Sequence, residues 1–216
     1  MNRVYVFALT DQATSPFTVD EHRIEFMDVG DLHAAVERRV ASPTVSEAAL
    51  RSQHEIVMRI FERVDGVLPV RFGAWIDERE LNEVIRIRKA AIQTALDLVR
   101  GRVQMTVRFL AAPTPLLEES PNLAAVGGSG TAYLQARRNA ERTLPAEAQA
   151  VISAVRDLVV AERASPSSRR SQATLHHLIA RASVAQYLAA TAALRSPALS
   201  ITGPWAPFAF APDPWE

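Results

Sequence analysis

The chain contains no cysteine. That absence excludes disulfides, thiol nucleophiles and thiolate-held metals together, and it fits a reducing compartment. There is no apolar run near the roughly 18 residues that a membrane-spanning helix needs, and the apolar part of the opening segment MNRVYVFALTDQ is too short for a signal peptide. Both absences point to the cytosol and away from a membrane. Net charge is missing as well, with 24 basic residues against 24 acidic ones, so no global field draws in nucleic acid or an anionic surface. Lysine is nearly absent: Lys89 is the only one, and arginine supplies the rest of the basic set, a bias that reads as codon usage in a GC-rich genome. No internal repeat and no low-complexity tract interrupts the chain.

The motifs of several site classes are also missing. No H-x-x-x-H or H-E-x-x-H occurs, and His176 and His177, adjacent on a segment that reads as a strand, project to opposite faces and cannot hold one ion together. No G-x-S-x-G elbow occurs, and Gly127-Gly128-Ser129-Gly130 lacks the G-K-[ST] ending of a phosphate loop, so it reads as a flexible linker. The carboxylates Asp77, Glu78 and Glu80 suit the first turn of a helix, where negative charge complements the dipole. Neither a catalytic set, nor a cofactor site, nor a metal site follows from these residues.

What is present is an alternation of strand and helix patterns in a chain of 216 residues, 48% of them hydrophobic, which is enough for a packed core. Arg3 to Leu9 is apolar on both alternating faces, as a central strand is. Arg23 to Val29 and Leu32 to Val40 are β-compatible runs around a turn at Gly30-Asp31, and the second could equally be a helix. Thr44-Val45-Ser46-Glu47 opens a helix whose apolar stripe is Leu50, His54, Val57, Phe61 and Val64. A short strand, Val67 to Val70, places Pro69 at an edge or a bulge. A long helix with the stripe Leu81, Ile85, Ile92, Leu96 and Val99 follows, and then a cleanly alternating strand from Arg102 to Phe109. Beyond a proline- and glycine-rich stretch, Tyr133 to Arg142 and Pro145 to Glu162 read as helical, Ala173 to Ala182 as a strand, Ser183 with Gln186 as the cap of a helix running to about Arg195, and Ala198 to Thr202 as a last strand. The expected division is an α+β domain over 1–110, a linker over 111–130, a second α+β domain over 131–203, and an irregular tail over 204–216 rich in proline and aromatic residues.

Two residues invite a chemical reading. His54 beside Glu55 could do acid/base work, but its place in the apolar stripe reads as a satisfied, half-buried histidine. Arg71, between an apolar strand and Phe72-Gly73-Ala74-Trp75, reads as one half of an internal ion pair. An enzyme built around them needs His54, Arg71 and carboxylates to converge in one pocket.

Three blocks, in order, resemble the GvpF/GvpL family of gas vesicle proteins. The first is the helix bearing His54 followed by Val67-Leu68-Pro69-Val70-Arg71-Phe72-Gly73; the second is Gly130 to Arg138, with Tyr133, Leu134 and Arg137; the third is Gly203-Pro204-Trp205-Ala206-Pro207-Phe208. In the third the family pattern commonly has Pro and Tyr where this chain has Ala206 and Phe208, giving up a ring constraint and a phenolic hydroxyl. The resemblance implies two α+β domains with ferredoxin-like features and a non-enzymatic role in building the gas-filled shell, as minor component or assembly factor, in the cytoplasm and at the vesicle. It implies as partners the major shell protein and other gas vesicle accessory proteins. The blocks, with His54, Leu68, Pro69, Arg71, Phe72, Gly73, Tyr133 and Arg137, read as a signature of fold, whereas the aromatic tail (Trp205, Phe208, Phe210 and Trp215) either packs against its own domain or, as the visible exposed candidate, contacts a partner. A nucleic-acid module on a ferredoxin-like sheet lacks both the aromatic motif and the basic charge.

Overall fold

The computed structural model describes residues 3–110, 146–165 and 171–212. The signature residues Tyr133 and Arg137, the expected linker and Trp215 lie outside them. The chain forms two compact units, one comprising Met1–Gln104 and Pro204–Glu216, the other Met105–Gly203. This differs from the expected division, since the chain passes between units inside strands and not at a linker, and the tail belongs to the first unit.

The first unit opens with β1 (Arg3–Thr10), buried from Val4 to Thr10 because both its faces are apolar. β2 (Phe17–Val19), β3 (His22–Val29) and β4 (Leu32–Arg38) follow as antiparallel neighbours, and the sheet order is β2-β3-β4-β1-β5. Helix α1 (Glu47–Phe61) starts at Ser46, whose hydroxyl accepts from the Ala49 amide at 3.1 Å, and α2 (Glu78–Val99) starts at Asp77, whose carboxylate accepts from the Arg79 amide at 2.9 Å. Both helices pack on the sheet. α2 buries the stripe read from the sequence, Leu81, Ile85, Ile92, Leu96 and Val99. α1 does not: it buries Gln53, Ile56, Val57, Ile60 and Phe61, while Leu50 and His54 are exposed. Two overlapping stripes share Val57 and Phe61, and the one carrying the polar Gln53 faces inward because its amide finds partners there.

β5 (Val67–Pro69) and β6 (Trp75–Asp77) both lie along β1 on its free side. Pro69 thus sits on an edge strand, where a residue without an N–H breaks no ladder.

In the second unit β7 (Arg102–Leu110), α3 (Ala146–Val155), β8 (Val159–Ser165), β9 (Ser171–Ala180), α4 (Val184–Ala192) and β10 (Leu199–Trp205) follow in sequence, and the sheet order is β10-β7-β9-β8. That β-α-β-β-α-β succession, with first and last strands paired and the hairpin at the far side, is the ferredoxin-like arrangement. The expected ferredoxin-like features therefore reside in this unit, while the first has a different sheet order. Three local readings need correction. The helix expected to reach Glu162 ends at Val155, gives one tight turn at Arg156–Leu158, and becomes a strand at Val159, where two β-branched residues take over. Ser183 precedes α4 without a side-chain capping bond. The tail expected to be wholly irregular begins as strand through Trp205, because β10 is an edge strand that tolerates Pro204.

Candidate functional site

The signature segment gets its shape from a mismatch along β1. Ala8 pairs with Pro69 and Tyr5 with Trp75, so β1 has two residues between these pairs while the opposing chain has five. The ladder resumes on both sides, with the Val70 amide donating to the Phe7 carbonyl and the Val6 amide to the Ala74 carbonyl, each at 2.9 Å. Arg71, Phe72 and Gly73 consequently bulge out, and Gly73 adopts φ +92°, a conformation open to glycine and strained for other residues. One buried phenol ties the bulge down. The Tyr5 hydroxyl accepts from the Gly73 amide at 3.0 Å and donates to Gln53 Oε1, and Gln53 Nε2 donates to the Val70 carbonyl at 2.9 Å. Phe72 adds an edge contact to Tyr5 at 6.2 Å. Burial pushes the Tyr5 phenol above its ordinary range, so it stays protonated and able to donate.

A second clamp holds the start of β5. Asp11 accepts from the Gly66 amide at 3.1 Å and from Arg100 Nε at 2.6 Å, and its side chain is only 8% exposed. A Cβ at position 66 would fall 2.6 Å from that carboxyl group, so any residue but glycine must push Asp11 aside and disturb the clamp.

The tail residues of the first unit lie on α1. His54 stacks on Phe208 with ring centroids 5.3 Å apart and meets Trp205 edge-on at 5.4 Å. The Ala206 amide donates to Met58 Sδ at 3.3 Å and the Ala209 amide to Gln104 Oε1 at 2.7 Å. The replacements noted in this block therefore leave the tail docked: alanine at 206 keeps an N–H that proline lacks, and Phe208 docks through its ring face. Phe210 is buried and Phe208 is 36% exposed, which leaves an open patch of Leu50, His54 and Phe208.

Beside α1 lies a cavity of about 480 Å³ with Tyr5, Phe7, Phe72, Pro43, Ala48 and Ala49 among its walls. Asp20, Glu21, His22, Arg39 and Ser52 also line it. Arg39 pairs with Glu37, lies over the Tyr5 ring at 5.1 Å, and places Nη2 2.8 Å from His22 Nδ1. The same Nδ1 lies 3.2 Å from Glu37 Oε1, so His22, Glu37 and Arg39 form one cluster.

In the second unit His177 of β9 is fully buried, facing Glu162 across the β8–β9 hairpin. Its Nε2 lies 3.0 Å from Glu162 Oε2 and its Nδ1 2.7 Å from the Tyr187 hydroxyl of α4. The carboxylate requires a donor, so the proton sits on Nε2 and Tyr187 donates to Nδ1. Burial holds His177 below the ordinary imidazole range and pushes the Tyr187 phenol up. His176, as the strand alternation requires, has other partners: Ser165 Oγ at 2.9 Å and Thr106 Oγ1 at 3.2 Å.

Compared with known families, residues 3–212 match the sequence profile of gas vesicle synthesis protein GvpL/GvpF. The chain belongs to this family. Two solved structures share the fold: the gas vesicle protein GvpF from Anabaena sp. PCC7120, with a TM-score of 0.71 at 14% identity over 98% of this chain and 99% of that one; and GvpF from Microcystis aeruginosa, with a TM-score of 0.69 at 14% identity over 98% and 100%. No protein of curated function matches the sequence.

Within the GvpL/GvpF frame the described signature residues divide by role. Leu68, Pro69, Phe72 and Gly73 build the bulged edge, with Leu68 fully in the core. His54 is not in the core as its spacing suggested; it is a surface ring that seats the tail. Arg71 is exposed on the bulge and not interior. Phe210, read as a partner contact, is interior. Sequence reasoning missed Tyr5–Gln53 and Glu162–His177–Tyr187. The signal for both was a polar residue in phase with apolar ones: Gln53 with Ile56, Val57 and Ile60 at helical steps, His177 with Leu175 and Ile179 at every second position.

Proposed function

We propose that this GvpL/GvpF chain is a cytoplasmic, non-enzymatic component of gas vesicle assembly that engages the major shell protein and other gas vesicle proteins through the surface formed by α1 and the tail. The family match over nearly the whole chain carries this reading. A shell that excludes water must be built from strongly apolar subunits, and such subunits need a folded partner to start or escort their assembly. The patch of Leu50, His54 and Phe208, with Trp205 at its base, supplies apolar area next to a polar surround. Among the described residues no helix is long and apolar enough to cross a membrane. His54, the residue around which an enzymatic reading turned, makes only ring contacts with Phe208 and Trp205 among the described residues.

Co-expression and pull-down with the major shell protein, together with buoyancy of cells lacking the chain, test the proposal. Capture of the shell protein and loss of buoyancy are expected. Absence of both effects overturns it.

A further inference from the structure

The cavity beside α1 has a composition that selects its occupant. Its floor is aromatic: Tyr5 and Phe7 are each 1% exposed, and Phe72 projects from the bulge beside them. One wall is the β2–β3 turn, where Asp20 and Glu21 stand exposed, and among the described residues neither is paired with a cation. Arg39, the cation of the cavity, is already committed: Glu37 takes its Nε, Nη2 lies 2.8 Å from His22 Nδ1, and its plane rests over Tyr5. Two carboxylates, Asp20 and Glu21, face the cavity with one guanidinium whose charge Glu37 already balances, so the cavity attracts positive charge and repels an anion. At about 480 Å³ it falls within the roughly 300–1,000 Å³ typical of ligand pockets and exceeds what one side chain fills.

We propose that this cavity is a socket for an arginine or lysine side chain carried by an extended segment of a partner protein. The aliphatic stem lies over Phe72 and Pro43, and the cationic head reaches Asp20 and Glu21, the division between apolar stem and charged tip that such side chains favour. The residues flanking the cavity explain why the occupant is a protein segment and not a free polyamine. Val40, next to Arg39, is 100% exposed; Val45 is 72% exposed; and Leu50, next to Ala49, is 47% exposed. Exposed apolar residues next in sequence to the lining of an acidic, aromatic-floored hole fit a basic residue with apolar neighbours. This inference rests on the reading that the chain works by holding another gas vesicle protein, and it adds the chemistry of the contact.

The test uses the full chain and the variant Asp20→Asn/Glu21→Gln. Both changes lie on an exposed two-residue turn, and asparagine tolerates the positive φ of +50° at position 20, so the fold is retained. Amide-resonance shifts are followed during titration with acetyl-Leu-Arg-Leu-amide, acetyl-Leu-Glu-Leu-amide and spermidine. The arginine peptide is expected to perturb Asp20, Glu21, Ser52 and Phe72, to bind about tenfold more weakly to the double variant, and to weaken with added salt. Equal binding of the two peptides, unchanged affinity in the variant, or tighter binding of spermidine than of the arginine peptide each overturns the socket. Pull-down of the major shell protein separates this outcome from that of the functional reading. If the wild-type chain fails to capture it while the arginine peptide still binds, the functional reading falls and the socket stands. If wild type and variant capture it equally, the functional reading stands and the socket is not its contact.

Discussion

Among the described residues each unit has a buried tyrosine at the centre of a polar network, and the two networks are built on different chemistry. Tyr5 serves the Gln53 side-chain amide and the Gly73 backbone amide, and Gln53 in turn serves the Val70 carbonyl, groups that do not change charge between strongly acidic and strongly basic conditions. Tyr187 serves His177, which must stay neutral to accept its proton and which hands its own to Glu162. The first network fixes a shape at any ordinary pH. The second does so only while one imidazole remains unprotonated, so the two units should respond differently to the same perturbations.

The largest expected effect comes from His177→Ala, which leaves the Tyr187 hydroxyl buried without its acceptor and opens a void. A loss of about 3 kcal/mol is expected. Native-state hydrogen exchange should show it as lost protection of β9 amides with β1 unchanged; equal losses in both units would break the comparison. Tyr5→Phe is the matching change in the first unit, expected to cost about 2 kcal/mol by stranding Gln53 and the Gly73 amide. Faster exchange at Gly73 should accompany it, without effect on β9.

Acid should sharpen the contrast without any substitution. The folded-state pKa of His177 lies below the usual 6.5, so as pH drops below about 6.5 the unfolded chain takes up a proton that the folded chain refuses. Stability of the second unit is then full above that pH and falls below it, by at most about 1.4 kcal/mol per pH unit. Thermal unfolding followed between pH 7 and pH 5 measures it, and the slope should shrink in His177→Gln. The smallest effect on stability belongs to Phe208→Ala, below about 1 kcal/mol because the ring is 36% exposed. Its effect on capture of the shell protein should be much larger, and a variant that captures normally would remove the tail from the proposed surface.

The sequence disclosed most of what depends on local periodicity. β1, β3, α2 and β9 follow from their apolar spacing, and the signal at Asp77 begins a helix where it indicates, while Thr44–Glu47 does so with Ser46 and not Thr44 as the cap; β4 is settled as a strand only by its pairing with β1 and β3. It misjudged the phase of α1, because the choice between the His54 and Gln53 stripes is made by Tyr5 and Val70, partners 48 and 17 residues away. It also misjudged the tail, since whether Pro204 ends a strand or sits within one depends on β10 lying at an edge. The signature block was legible as a string, but its bulge was not. That shape comes from the pairing of two strands far apart in sequence.

The bulge at Arg71–Gly73 also bears on how molecules of this chain meet one another. An open sheet border is a template on which a second chain can add a strand, a hazard for any protein kept near sticky, apolar neighbours. Here the border is broken in the middle, with three residues out of line, a proline on one side and a left-handed glycine at the break. A strand from another molecule would find no continuous row of donors and acceptors to copy, so this side of the sheet ends with the molecule.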